Sequence, residues 1–273
     1  MLNTEELKDY FILVNSHAKK ELGQNFLISS YICENIVNLL EIDEKDKILE
    51  VGPGLGALTG FLINKSEKYV AVEYDEKFVN FLNNAYSNSN LVVENKNIVK
   101  LKDFDFNKII GNLPYYMTTE ILEFLTTRFP GIKIGVFMVQ KECYQRLVAK
   151  QGKDYNAYNV FLDYLYDVKQ CFLVNKTNFF PMPSIDSLVF KISIKNGKEL
   201  GFARVLYKTA KILFNNRRKT VSNNLNSLVK DKNLTKELIL KSNIKENERA
   251  ENLTQDDFVN LTDNLLNNGF LKL

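Results

Sequence analysis

Short apolar runs alternate with amphipathic stretches through the first two thirds of the chain. Ile48-Leu49-Glu50-Val51, Tyr69-Val70-Ala71-Val72-Glu73 and Leu91-Val92-Val93 have the length and β-branched content of buried strands, as do residues 108–111 and 134–139. Between them, residues 58–64, 76–87 and 119–128 have helical length and periodicity. Such alternation predicts an α/β sheet with helical crossovers, hence mostly parallel strands. Residues 171–175 and 188–194 predict two further strands flanking the Pro181-Met182-Pro183 break, a pair that can close the sheet edge as an antiparallel hairpin. After Lys195-Asn196-Gly197 the prolines stop and amphipathic helical patterns take over. The expected organisation is an α/β domain over residues 1–196 and a smaller all-α domain over residues 197–273.

Composition narrows the function classes. The 273 residues are 45% hydrophobic and 25% charged, which is ordinary for a soluble globular protein. The apolar run at residues 11–14 is too short for a signal peptide, and no stretch nears the roughly 18 apolar residues of a membrane helix. Cys33, Cys143 and Cys171 are isolated, which supports neither a disulfide framework nor a zinc site. His17 is the sole histidine, which argues against His-based triads and multi-His metal centres. A cytoplasmic protein without a metal is expected. The net charge of +3 is less informative than its distribution: residues 202–230 hold seven Lys or Arg and no acid. Such a block is either a solvated helix face or a phosphate-backbone contact surface.

The candidate chemistry lies at the ends of the predicted strands. Gly52-Pro53-Gly54-Leu55-Gly56 follows the first strand, where glycines let the backbone pass close to a ligand. Glu73 ends the second strand, where a carboxylate can grip both hydroxyls of a ribose. Nicotinamide-dependent enzymes use a related glycine fingerprint. The GxGxG spacing and Glu50 just before the loop favour S-adenosylmethionine instead. Asn112-Leu113-Pro114-Tyr115 ends the fourth strand. Its amide oxygen can accept from an exocyclic amine, Pro114 biases Leu113 toward an extended conformation, and Tyr115 offers a face for a base. In an open α/β sheet these strand ends converge on one crevice.

Together with further blocks, these residues make the chain resemble the KsgA family of ribosomal RNA adenine dimethyltransferases nearly throughout. Those blocks are Lys19-Lys20-Glu21-Leu22-Gly23-Gln24-Asn25-Phe26-Leu27, residues 50–59, Phe137-Met138-Val139-Gln140-Lys141-Glu142 and Phe179-Phe180-Pro181-Met182-Pro183-Ser184-Ile185-Asp186-Ser187. Phe214-Asn215-Asn216-Arg217-Arg218-Lys219-Thr220 and Arg249-Ala250-Glu251-Asn252-Leu253 complete the series in the helical region. The resemblance implies a Rossmann-like class I methyltransferase sheet. It implies that Asn25, Leu27, Gly52, Gly54 and Glu73 contact S-adenosylmethionine, and that Asn112, Tyr115 and Phe179 surround the target adenine. Where the family usually has an Asp accepting from the cofactor's adenine amine, this chain has Asn97, with Glu94 as the alternative. An amide oxygen accepts the same bond without the charge, a difference on the order of 1 kcal/mol.

The implied reaction is transfer of methyl groups to N6 of two adjacent adenosines in the 3′-terminal hairpin of small-subunit ribosomal RNA, linked to ribosome biogenesis. An immature small subunit would be the partner and a monomer the acting form. Lys19, Lys20, Arg217, Arg218 and Lys219 are the candidate RNA contacts, against the plainer reading of solvated surface charges. Phe179 is either a base-facing ring or a core aromatic beside the hairpin. The rivals are a large-subunit methyltransferase conferring macrolide resistance and a non-catalytic assembly factor. The tetrad favours the small-subunit enzymes, because the first rival usually has Ile where Leu113 stands. Retained Glu73 and Asn112 speak against the second.

Overall fold

The computed structural model describes residues 1–14, 17–18, 24–102, 105–114, 116–129 and 131–273. Compact packing divides the chain into two units, Met1–Tyr144 with Val168–Ile194, and Gln145–Asp167 with Lys195–Leu273.

In the first unit α1 (Thr4–Leu13) precedes β1 (Phe26–Leu27) and α2 (Ser30–Asn38). The sheet strands β2 (Lys47–Val51) and β3 (Lys68–Glu73), helix α3 (Glu76–Ala85) and strand β4 (Leu91–Asn95) follow. Next come β5 (Lys108–Asn112), α4 (Thr118–Arg128), β6 (Ile134–Gln140) and α5 (Lys141–Leu147). After α6 (Ala157–Leu165), the chain forms β7 (Tyr166–Val174), β8 (Phe179–Phe180) and β9 (Ser187–Ile194).

Seven strands lie in the order β4-β3-β2-β5-β6-β9-β7. The first five are parallel, and β9 runs antiparallel to β6, so the expected sheet with its antiparallel edge is present. Both faces are covered, which is why the central strands read as continuous apolar runs: Ile48, Leu49, Ile109, Ile110 and Val136 are fully buried. Chain order runs outward from β2 to β4 and then restarts at β5 on the other side of β2. This reversal makes the carboxyl ends of β2 and β5 the topological switch point. Gly111 lets them close up, since a Cβ there would sit 2.7 Å from the Val51 carbonyl oxygen.

A two-stranded antiparallel pair, β1 with β8, joins distant segments through Phe26↔Phe180 and Leu27↔Phe179. Phe26 packs edge-on against Phe78 of α3 at 5.6 Å and tilted against Phe11 of α1 at 5.7 Å. These contacts carry the segment beginning at Asn25 over the switch point.

Residues 58–64, expected as a helix, form only a 3-10 turn over Thr59–Phe61. Gly60 is a poor helix former, and Asn64 at φ +58° leaves the helical region and ends the turn. Strand β7 starts at Tyr166, five residues before the apolar signal at Cys171; the exposed Asp167, Lys169 and Gln170 leave its first half without an apolar run.

The second unit comprises α6, α7 (Leu200–Phe214), α8 (Val221–Val229), α9 (Lys232–Lys241) and α10 (Gln255–Asn267). Residues 145–167, counted with the first domain from sequence, pack here instead. Helix α6 is apolar nearly all round and must be enclosed. Phe161 meets Tyr207 of α7 at 5.5 Å, and buried Asn159 donates to the carbonyls of Arg146 and Leu147, both at 2.7 Å. No helix among the described residues is long and apolar enough to cross a membrane.

Candidate active site

Two cavities meet at the switch point and share Gly52 and Pro114. The first, about 120 Å³, is lined among others by Asn25, Leu27, Glu50, Gly54, Glu73 and Asn112. The second, about 300 Å³, is lined among others by Tyr74, Lys96, Asn97, Ile98 and Tyr116.

Gly52 turns the chain out of β2 with φ +64°, and its missing Cβ faces open space. Side-chain-bearing residues rarely adopt that φ, so the bare turn keeps the cavity floor low. The Gly54 N–H donates to Glu73 Oε2 at 3.0 Å, tying the loop to the end of β3. Glu73 Oε1 accepts from the N–H groups of Tyr74 and Asp75 at 2.7 and 2.9 Å. Burial raises the Glu73 carboxyl above its ordinary pKa, opposed by these three N–H groups. The carboxylate is therefore fixed in place at the junction of loop and strand.

At the end of β5, Asn112 Nδ2 donates to the Asn25 carbonyl at 3.2 Å. No donor among the described residues reaches Asn112 Oδ1, so the acceptor end of the amide is available. Leu113 is buried, and its N–H donates to the Met138 carbonyl at 3.1 Å. The Pro114 carbonyl accepts from the Met117 N–H at 3.1 Å and the Thr118 hydroxyl at 3.0 Å, which starts α4. Residues 112–114 are thus anchored on both sides, with the side chain of Asn112 at the cavity wall. Tyr115, Lys19 and Lys20 lie outside the described residues.

Asn97 lines the second cavity, where its Oδ1 also accepts from the Val99 N–H at 3.2 Å. Glu94 is turned into a 3.0 Å ion pair with Lys96, so Asn97 is the better placed of the two candidates. Phe179 is 3% exposed and packs with Leu27, Ile36 and Val189, an arrangement that matches the core reading of this ring. In the helical unit, Arg217 donates to the carbonyls of Gly152 and Tyr155 at 3.2 and 2.9 Å and pairs with Glu251 at 3.4 Å. That clamp takes Arg217 out of the set of free cations. Arg218 and Lys219 are exposed beside it, without an ion pair among the described residues.

Two features were not singled out as site residues from sequence. Tyr74 and Tyr116, 70% and 58% exposed, rim the second cavity. Nothing in a string of letters distinguishes them from surface tyrosines. Glu50, fully buried on β2, opens into the first cavity, and its signal was legible as an acid inside an apolar strand.

The residues fit S-adenosylmethionine. The first cavity brings two carboxylates and no Lys or Arg among its described lining, a match for a cationic ligand. The second combines Tyr74, Tyr116, Ile98 and Pro114 with the amide of Asn97, a match for a purine ring with an exocyclic amine. A doubly wound sheet with this loop, acid and amide at its switch point defines a class I methyltransferase. The family profile described as ribosomal RNA adenine dimethylase matches residues 15–266, and the chain belongs to that family. Among curated relatives, the "Ribosomal RNA small subunit methyltransferase A" of Mycoplasmopsis pulmonis is 36% identical over 88% of this chain and 96% of its own length. The protein of the same name from Ligilactobacillus salivarius is 38% identical over 92% of this chain and 91% of its own. Among solved structures, a dimethyladenosine transferase from Plasmodium falciparum superposes with TM-score 0.76 at 24% identity, covering 89% of this chain and 98% of that one. The 23S rRNA methyltransferase ErmE superposes with TM-score 0.67 at 17% identity, covering 88% and 99%; both likenesses establish the shared fold.

Proposed function

We propose that this enzyme transfers methyl groups from S-adenosylmethionine to N6 of two adjacent adenosines in the 3′-terminal hairpin loop of small-subunit ribosomal RNA. The observation that carries this reading is the convergence of Gly52, Glu73 and the Asn112 amide on one cavity. The choice of small-subunit RNA is supported by the relatives' printed name across about nine tenths of the chain. The protein acts as a monomer in the cytoplasm on an immature small subunit.

When bound, S-adenosylmethionine supplies an electrophilic methyl group on a sulfonium. Glu73 would receive the ribose hydroxyls, Asn97 and Ile98 would border the adenine, and Asn25, Leu27 and Gly54 would enclose the remainder. Asn112 Oδ1 and the Leu113 carbonyl accept the N6 hydrogens of the target adenosine. This favours a pyramidal nitrogen whose lone pair is withdrawn from the ring. No strong base is required, in keeping with a chain that has one histidine. The residues bordering both cavities would hold the amine and the methyl donor close together, an advantage on the order of several kcal/mol; as the N–C bond formed, the S–C pair would leave with the thioether and the surplus N6 proton would pass to solvent. Tyr115 stacks on the extruded base, an interaction worth roughly 1–3 kcal/mol. The buried Phe179 backs Leu27 from below. The target must leave its stack to enter, which favours a loop adenosine.

The test supplies labelled S-adenosylmethionine with unmethylated small subunits, naked small-subunit RNA and large subunits. Label is expected in dimethyladenosine of the small-subunit hairpin, located by mass spectrometry. Label confined to large-subunit RNA, or none at all, rejects the assignment.

A further inference from the structure

Glu50 is the one titratable side chain in the described lining of the first cavity that the mechanism leaves unused. It is 1% exposed, and its Oε2 accepts from the hydroxyl of Thr59 at 2.8 Å and from that of Tyr69. No donor among the described residues reaches Oε1. That oxygen is not sealed in the interior, because the fully enclosed side-chain acceptor without a partner among the described residues is Gln255 Oε1. Glu50 lines the first cavity, so Oε1 opens into it.

The groups facing Glu50 are Thr59, Tyr69 and Glu73, with Tyr86 beyond α3 and Cys33 of α2 at longer range. None of them is a cation. A buried carboxylate beside a second carboxylate, with one oxygen unserved, needs either its own proton or an incoming positive charge. We propose that Glu50 is protonated in the free protein and releases its proton to solvent when the cationic methyl donor enters, so that cofactor binding is proton-linked. The proposal rests on the cavity being the S-adenosylmethionine site.

Burial, helped by Glu73 and opposed by the hydroxyls of Tyr69 and Thr59, pushes the Glu50 carboxyl up to about 7. A cation at Oε1 lowers it again. Between the two values, binding expels a proton and affinity rises with pH, up to about tenfold per pH unit, levelling above the free-protein value.

Isothermal titration of the full chain with S-adenosylmethionine, and separately with S-adenosylhomocysteine, tests this in phosphate and Tris buffers between about pH 6 and 8. Wild type is expected to release protons on binding S-adenosylmethionine and to bind it more tightly as pH rises. Glu50→Gln, checked for folding by circular dichroism, is expected to release none, to bind about tenfold more weakly and to lose the pH dependence. Release with both ligands assigns the ammonium as the partner, since both carry it. Release with S-adenosylmethionine alone assigns the sulfonium. Tyr69→Phe removes a donor to the carboxylate and is expected to move the release to higher pH. Tight binding without proton release, or equal release by Glu50→Gln, overturns the proposal while leaving the function intact. Failure of wild type to bind either ligand overturns both.

Discussion

Asn112 donates one amide hydrogen to the Asn25 carbonyl, and no donor among the described residues reaches its oxygen. On the proposed mechanism this oxygen serves the substrate amine far more than the fold. Asn112→Ala is therefore expected to leave cofactor affinity by titration within about twofold while cutting single-turnover methyl transfer by about 10²–10³, the loss typical of one aimed hydrogen-bonding group. Equal loss of both would assign Asn112 to the cofactor. On the same proposal Asn97, in the lining of the second cavity, accepts from the cofactor's adenine amine, where a charged acceptor would serve better. Asn97→Asp is expected to tighten S-adenosylmethionine binding about threefold to tenfold, because a charge-assisted bond is stronger by about 1 kcal/mol. The substitution also preserves the cap on the Val99 N–H.

Between elements, the close approach of β2 and β5 is what joins Gly52 to Asn112. Gly111 makes it possible, and Gly111→Ala would force a Cβ to within 2.7 Å of backbone that cannot swing aside. The expected cost is about 1–3 kcal/mol in urea denaturation, with weaker cofactor binding as the strand ends separate. The sequence marked this glycine only as a strand interior. Its reason lies in the neighbouring strand, 60 residues earlier in the chain. The β1–β8 pair is a similar case, because neither two-residue strand has a periodicity to detect. For Phe179 the sequence left a base-facing ring and a core aromatic both open, and its burial opposite Leu27 matches the core reading.

Across the molecule, the basic run of residues 202–230 does not act as one surface. Arg217 is held through one guanidinium nitrogen by two carbonyls and Glu251, whereas Arg218 and Lys219, exposed at the same turn, have no ion pair among the described residues. Replacing Arg218 and Lys219 by Ala is expected to reduce the salt slope of RNA binding by about 1 per charge. Arg217→Ala is expected instead to lower the thermal stability of the helical unit and leave the slope nearly unchanged. Filter binding across a salt series, alongside thermal melts, separates the two. An unaltered slope in the double variant would make that turn a solvated face.

Local pattern alone determined most strands of the sheet, the helices that form α3 and α4, the glycine turn, the acid ending β3 and the amide-proline turn, because each depends on a few consecutive residues with a fixed period or turn chemistry. Tertiary structure decided the rest: that residues 145–167 pack with the helical unit, that Phe179 lies in the core, that Arg217 is a clamp and that Glu50 opens into the cavity. Those outcomes depend on which surfaces distant segments present to one another. Burial and hydrogen-bond partnership are properties of the assembled chain, and no window of sequence contains them.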